Sequence, residues 1–150
     1  RGRTAPQLEL LRHLSSKIVV PNAVADEIKA GPENDPARIA IENGAFELIA
    51  TREPTPELAA WDLGLGETAV LSYALENPDW TAILDDGAAR KCAITFGIRV
   101  KGTLAIIVLA KKRGLIPSAK QILRTMQETG LRRDEKTIRQ VLKETVGEDW

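Results

Sequence analysis

The chain has 150 residues, of which 21 are Lys or Arg, 21 are Asp or Glu, and 43% are hydrophobic, so its formal net charge is zero. With one Cys and one His, it cannot form an internal disulfide or a Cys/His zinc site, and a thiol or Ser-His nucleophile is disfavoured. The longest apolar run, residues 104–110, is far shorter than the ~20 residues of a membrane span, so we expect a cytoplasmic protein with no membrane partner.

Hydrophobic spacing and turn residues predict alternating helices and strands in the first half of the chain. We expect Asn22 to cap the helix that it begins. No Met and no strand precede the first helix, so we expect that an N-terminal strand is missing from the chain. The predicted elements are a helix over 4–14, a strand over 17–20, a helix over 22–30, a loop over 31–36, a helix over 37–43, a strand over 46–50 and a loop with one helical turn over 54–65.

The second half continues the alternation of helices and strands. This pattern predicts an α/β fold with a parallel sheet, in a single domain over 1–150. The apolar residues of the two last helices recur at helical spacing, so they pack either on the core of the same domain, which we favour, or on a second subunit. The predicted elements are a helix over 66–76, a strand over 81–84, a helix over 87–96, a strand over 98–101, a helix over 103–113 and amphipathic helices over 118–129 and 134–146.

The zero net charge conceals an uneven distribution. Residues 1–75 carry seven basic and eleven acidic side chains, whereas residues 76–150 carry fourteen and ten. The basic residues of the second half all lie between Arg90 and Lys143. This segment indicates either a surface that faces a polyanion or ordinary Lys- and Arg-rich helix surfaces. The candidates for contacts to nucleic-acid phosphates are Arg90, Arg99, Lys101, Lys111, Lys112 and Arg113.

Acidic residues stand where the strands of a parallel sheet end, which is the usual location of chemistry in such folds. Glu27 lies on the helix that follows the first strand and borders its apolar stripe. Glu67 shares a helix face with Leu71 and Ala74, so we expect it to point toward the core. Each has a structural interpretation as well: Glu27 as a surface carboxylate, and Glu67 as a charge that the helix N-terminus stabilises.

The third acidic site is Asp85 and Asp86, directly after the strand over 81–84. Asp86 is explained as the N-cap of the next helix. Asp85 is not explained in this way, and two adjacent carboxylates repel each other unless a cation or a proton lies between them. Carboxylates that converge from separate elements suit Mg²⁺ or Mn²⁺.

A rival interpretation uses the same residues. The run from Gly64 to Ala69 matches the pattern G-x-G-x-x-A of dinucleotide-binding folds, and Asp85 follows at the expected distance. That pattern needs a buried strand before the glycines, and the preceding segment, residues 57–62, is polar at its ends. We therefore disfavour this interpretation.

Several segments together resemble the PIN-domain family, and in particular a branch of small prokaryotic PIN proteins related to VapC-type toxins of toxin–antitoxin pairs. They occur in the family's order across nearly the whole chain, which makes the series more specific than any single segment. The segments are Ile18–Ile28, Leu65–Ala69, Ile83–Arg90, Gly97–Leu104, Ala110–Gly114 and Leu142–Glu148.

The resemblance implies a Rossmann-like, three-layer α/β/α fold with a central parallel sheet and a metal-dependent endoribonuclease. In the family's pattern, Glu27, Glu67 and either Asp85 or Asp86 are metal ligands with catalytic roles, and the cofactor is Mg²⁺ or Mn²⁺. The partners implied are an RNA substrate, an antitoxin protein and a second copy of the chain. The family also has an Asp at the end of a first strand that this chain does not contain. A second hypothesis is therefore a catalytically degenerate PIN scaffold that binds nucleic acid or a partner protein without cleavage.

Overall fold

The computed structural model describes residues 14–15, 17–128 and 135–149. Its elements follow the predicted order, and their bounds differ from the predicted ones by no more than two residues. The predicted helix over 4–14 lies outside the described residues except for Leu14, as do Thr129 and Asp134. The elements are β1 (Val19–Pro21), α1 (Asn22–Lys29), α2 (Pro36–Glu42), β2 (Glu47–Ile49), α3 (Pro56–Ala59), α4 (Leu65–Glu76), β3 (Thr81–Ile83), α5 (Gly87–Thr95), β4 (Arg99–Lys101), α6 (Thr103–Lys112), α7 (Ala119–Glu128) and α8 (Glu135–Thr145).

The strands pair in parallel, as the alternation of helices and strands predicts. Strand β1 pairs with β2 with Val19 opposite Glu47, and β3 pairs with β4 with Thr81 opposite Arg99. Within the described residues these pairs are two separate two-stranded sheets. The α/β fold with parallel strands is therefore confirmed, and its sheets are small.

The chain divides into two compact units. Of the described residues, 17–102 form the first unit, and 14–15, 103–128 and 135–149 form the second. A single domain over 1–150 stays a prediction. No helix within the described ranges is long and apolar enough to span a bilayer.

Helix α4 connects the parts of the first unit, since it contacts α1, α5, β1 and β3. Its inner face carries Leu71 and Ala74, which are buried. Removing such apolar surface from water stabilises the fold by about 25 cal/mol per Å². The buried core of this unit consists of Leu58, Leu71, Ala74, Ala82, Leu84, Ala89, Cys92, Ala93 and Ile98.

The start of α1 corrects one sequence prediction. Asn22 does not cap the helix, because it is already helical and Pro21 occupies the N-cap position. The hydroxyl of Thr51, which follows β2, accepts a hydrogen bond of 2.9 Å from the Ala23 N–H. A side chain 28 residues away thus satisfies an amide at the helix start that we expected Asn22 to satisfy.

The second unit is a small helical core. Helix α6 contacts both α7 and α8, and Leu123, Ile138 and Leu142 are fully buried against it. The favoured interpretation of the last two helices, that their apolar residues pack on the core of their own chain, is confirmed at these three positions. Met126 of the same predicted stripe lies among the side chains that the structure does not describe.

Glu148, which follows α8 in the sequence, caps the start of α7. Its carboxylate accepts hydrogen bonds from the Ser118 hydroxyl at 2.7 Å, the Ala119 N–H at 3.0 Å and the Lys120 N–H at 3.1 Å. Burial by itself raises the pKa of Glu148, but these bonds and the Lys111 ammonium outweigh burial and hold its pKa below the ordinary 4.5. The charged carboxylate is therefore the form that stabilises the fold.

Glu148→Ala is expected to lower the free energy of unfolding at neutral pH by about 2 kcal/mol, because two helix amides lose a charged acceptor. Since the folded pKa lies below 4.5, the contribution of Glu148 is complete above that pH and is lost as the pH falls through the lowered value. Chemical denaturation at several pH values measures both effects. The exposed Glu144→Ala serves as the control, and a gap between wild type and Glu148→Ala that persists in acid would contradict this account.

Candidate functional site

Glu27 reaches the first turn of α4 from α1. Its Oε1 accepts a hydrogen bond of 3.0 Å from the N–H of Gly66, which lies 39 residues away in the chain. The side chain is exposed, whereas Ala25 on the inner face of α1 is buried. Packing of α1 on α4 therefore brings this carboxylate to a helix N-terminus, where a negative charge is favoured.

Glu67 lies on the same turn of α4. Its Oε1 accepts a hydrogen bond of 3.3 Å from the N–H of Gly64, which is the N-cap residue of the helix. Leu71 and Ala74 are buried and Glu67 is half-buried. The Glu67 side chain therefore folds back onto the start of its own helix, as the structural interpretation expects. Its orientation toward the core stays a prediction.

Asp86 caps α5, as predicted. Its Oδ2 accepts a hydrogen bond of 2.9 Å from the Ala89 N–H, and this bond accounts for one of the two adjacent carboxylates. Asp85 is exposed and follows Leu84, whose N–H donates to the Lys101 carbonyl at 3.0 Å. The pairing of β3 with β4 thus extends one residue beyond Ile83 and leads directly into Asp85.

The structure brings two of the four predicted ligands to one helix turn and leaves the other two at the end of β3. Glu27 and Glu67 bind the amides of Gly66 and Gly64, and α5, which begins after Asp86, contacts α4. Across residues 14–15, 17–128 and 135–149, no three His, Cys, Asp or Glu side chains lie close enough to hold a metal ion. Carboxylate oxygens are the donors that Mg²⁺ and Mn²⁺ prefer, so Glu27 and Glu67 fit such an ion in chemistry, as a partial ligand set.

The predicted phosphate contacts fall in both units. Arg99 and Lys101 are exposed on β4, and Arg90 on α5 is half-buried, with an Nε that has no hydrogen-bond partner within the described part of the chain. In the second unit Lys111 donates to the Pro117 carbonyl at 2.6 Å and lies 3.9 Å from Glu148, so its ammonium is engaged within the chain. The remaining two, Lys112 and Arg113, are exposed at the end of α6.

Two glycines contribute to the site in a way that the sequence analysis missed. A Cβ atom on Gly64 would lie 3.0 Å from the Glu67 Oε1, and one on Gly66 would lie 2.7 Å from the Glu27 Oε2. The signal was the G-x-G pattern before Glu67, which we considered as a dinucleotide motif and, from Leu65 to Ala69, as one segment of the family resemblance.

The same geometry argues against the dinucleotide interpretation. A short helix, α3, and not a strand precedes the glycines. The amides of Gly64 and Gly66, which would bind a pyrophosphate in that motif, bind the carboxylates of Glu67 and Glu27. A phosphate at this helix start would meet two negative charges.

A thiol nucleophile is also disfavoured by the structure. Cys92 is fully buried in the core of the first unit, and burial raises the pKa of its thiol. A buried, protonated thiol is a poor nucleophile. His13, the other candidate nucleophile or base, lies outside the described residues.

Comparison with known proteins identifies the family. A family model described as a PIN domain matches residues 3–147. No curated protein and no solved structure matches the chain significantly. The family match covers nearly the whole sequence and agrees with the parallel strands described above, and on this basis the chain belongs to the PIN-domain family.

Proposed function

We propose that this protein is a metal-dependent endoribonuclease that hydrolyses RNA phosphodiester bonds. PIN domains are generally nucleases, and PIN nucleases typically use divalent metal ions. The observation that carries the proposal is the 3.0 Å hydrogen bond between Glu27 and the Gly66 amide. This bond holds the Glu27 carboxylate on the amide of Gly66, the residue that directly precedes Glu67. Glu27 and Glu67 are far apart in the sequence.

The two carboxylates bring negative charge to the start of one helix. Each accepts a hydrogen bond from an amide at the start of α4, and the helix N-terminus compensates about half an elementary charge. Two carboxylates carry more negative charge than this, so part of the charge at the helix start is left unbalanced. A bound divalent cation would balance this remaining charge, which supports a metal site over a purely structural role.

In the proposed site the carboxylates of Glu27 and Glu67 would hold Mg²⁺ or Mn²⁺ as a partial ligand set, with Asp85 or Asp86 at the end of β3 as the further candidate ligand. The metal, when bound, supplies an activated water and stabilises the leaving oxygen. The carboxylates hold it in place, and the exposed Arg99 and Lys101 contact backbone phosphates and position the RNA strand without reading its bases.

The branch of the family that the sequence resembles adds two partners to the proposal. Small PIN proteins related to VapC-type toxins imply an antitoxin protein and a second copy of the chain. We propose both as partners on this resemblance. Size-exclusion chromatography with light scattering measures the molar mass of the protein in solution. A monomer at micromolar concentration would contradict the proposed pairing with a second copy of the chain.

Calorimetric titration with Mn²⁺ and Mg²⁺ tests the proposed function. We expect the wild-type chain to bind both ions. The double variant Glu27→Gln/Glu67→Gln should lose this binding because the negative charge is gone, whereas its glutamine oxygens still accept the hydrogen bonds of the two amides. If the wild-type chain binds neither ion, the nuclease proposal fails and the degenerate scaffold replaces it. Circular dichroism of the variant verifies that the fold persists.

Replacing Arg99 and Lys101 by Ala should weaken the binding of single-stranded RNA by a similar factor for all sequences. Each lost phosphate contact should reduce the slope of log affinity against log salt concentration by about 0.7. Fluorescence anisotropy over a range of salt concentrations measures this slope. Lys17→Ala is the control, because Lys17 is exposed and its ammonium pairs with Glu47 at 3.3 Å. An unchanged slope in the double variant would exclude these two residues from RNA binding.

A further inference from the structure

Gly66 leaves open the space that the Glu27 carboxylate occupies. A Cβ atom built on Gly66 would lie 2.7 Å from Oε2, 3.0 Å from Cδ and 3.1 Å from Oε1 of Glu27, and these are its three nearest atoms. Cβ atoms in proteins essentially never approach another heavy atom to less than 3.0 Å, so the 2.7 Å contact could not persist. A residue with a Cβ atom at position 66 would therefore collide with the Glu27 carboxylate where it now lies.

Backbone conformation does not explain this glycine. Gly66 is a helical residue in the first turn of α4, and every L-amino acid adopts that conformation. Glycine in a helix is in fact less stable than alanine, because it loses more backbone entropy on folding. The structural reason for a glycine at this position is thus the room that it gives to Glu27.

We infer that Gly66 is a positioning residue for Glu27 in the proposed metal site, an inference that rests on the proposed function. Its N–H fixes Oε1 of Glu27 at 3.0 Å. Oε2 accepts no hydrogen bond from the residues that the structure describes, so it remains available as a ligand beside the first turn of α4. Gly66 thereby sets where the carboxylate lies, while taking no part in the chemistry itself.

Gly66→Ala should displace the carboxylate without unfolding the protein. The atoms in the way are the end of a flexible, exposed side chain, so Glu27 rotates away and the backbone stays in place. We expect the affinity for Mn²⁺ to fall about tenfold or more, a loss typical of changes that disturb the orientation of a ligand.

Gly87→Ala is the matched control. Gly87 is also in the first turn of a helix next to an acidic residue, Asp86, but a Cβ there would meet nothing within 4 Å. We expect this variant to bind Mn²⁺ within about twofold of the wild type, which is within the usual effect of a neutral substitution.

A second measurement needs no metal. Gly66→Ala is made in the wild type and in a Glu27→Ala background, and the midpoint of urea denaturation is compared. In the Glu27→Ala background the nearest obstructing atoms are gone, so the substitution should raise the midpoint, as Gly to Ala in a helix does. In the wild type it should raise the midpoint less or lower it. Equal shifts in the two backgrounds would overturn the inference.

The Mn²⁺ titrations separate the inference from the proposed function. If Glu27→Gln weakens Mn²⁺ binding and Gly66→Ala does not, the inference is overturned and the proposed function stands. If Glu27→Gln binds Mn²⁺ like the wild type, the proposed site fails, and the role of Gly66 in it fails too. Weakened binding in both variants, with Gly87→Ala unchanged, supports the inference.

Discussion

Glu67→Gln is expected to abolish metal-dependent RNA cleavage while the protein stays folded. Glutamine keeps the shape of the side chain and an oxygen that accepts the Gly64 N–H bond, but it removes the charge that binds the cation. We expect the cleavage rate to fall by about a hundredfold or more, equivalent to about 2.7 kcal/mol of transition-state stabilisation. Loss of the favourable charge at the helix start lowers the free energy of unfolding by at most about 1 kcal/mol.

Glu57→Gln is the matched control for this variant. Glu57 is likewise an acidic residue in the first turn of a helix, α3, and it is exposed. The Glu57→Gln variant loses the same negative charge as Glu67→Gln but leaves the proposed site unchanged. Cleavage of a fluorescent RNA under single-turnover conditions measures both variants. Full activity in Glu67→Gln would remove Glu67 from the site.

Leu71→Ala is expected to cause the largest loss of stability. Leu71 is fully buried on the inner face of α4, the helix that contacts both β1 and β3. Truncating a buried leucine costs about 2–5 kcal/mol, because apolar contacts are lost and a cavity remains. This loss is a large fraction of the 5–15 kcal/mol by which a typical domain is stable. Urea denaturation followed by circular dichroism measures it.

Leu65→Ala gives the comparison on the same helix. Leu65 is 79% exposed, so its truncation should change the free energy of unfolding by less than about 0.5 kcal/mol. Equal losses in the two variants would contradict the assignment of the inner face of α4. Because Glu67 lies on this helix, Leu71→Ala should also weaken Mn²⁺ binding under conditions where the variant begins to unfold.

The features that sequence analysis predicted correctly depend on neighbours in the chain. The order of helices and strands follows from local periodicity, and Asp86 caps α5 through an amide three residues away. Glu67 binds the amide of Gly64, three residues earlier, at the start of its own helix. Each of these relations lies within a single element, so the sequence alone contains it.

The features that sequence analysis missed join residues far apart in the chain. Thr51 binds the start of α1 from 28 residues away, and Glu148 binds the start of α7 from 28 to 30 residues away. Glu27 reaches the Gly66 amide across 39 residues. Each contact depends on how helices pack, which local periodicity does not encode. For this reason Glu27 alone resembled an ordinary surface carboxylate.

Sequence analysis disfavoured a dinucleotide at the glycines Gly64 and Gly66 but did not identify what approaches them instead. Small residues before a helix indicate that something approaches its N-terminus closely, and anions are favoured there. In this fold the anions are carboxylates of the chain itself, Glu27 and Glu67. The sequence shows that space is left, whereas only the packing of α1 on α4 shows what occupies it.

The central claim is that the acidic residues near the start of α4 make a metal-dependent ribonuclease. Incubation of the purified chain with a labelled single-stranded RNA, first with EDTA and then with excess Mn²⁺ or Mg²⁺, tests this claim most directly. We expect no cleavage with EDTA, cleavage once either ion is restored, and none with either ion in Glu27→Gln/Glu67→Gln. Cleavage that persists in EDTA, or an RNA that stays intact with a chain that has bound Mn²⁺, would contradict it.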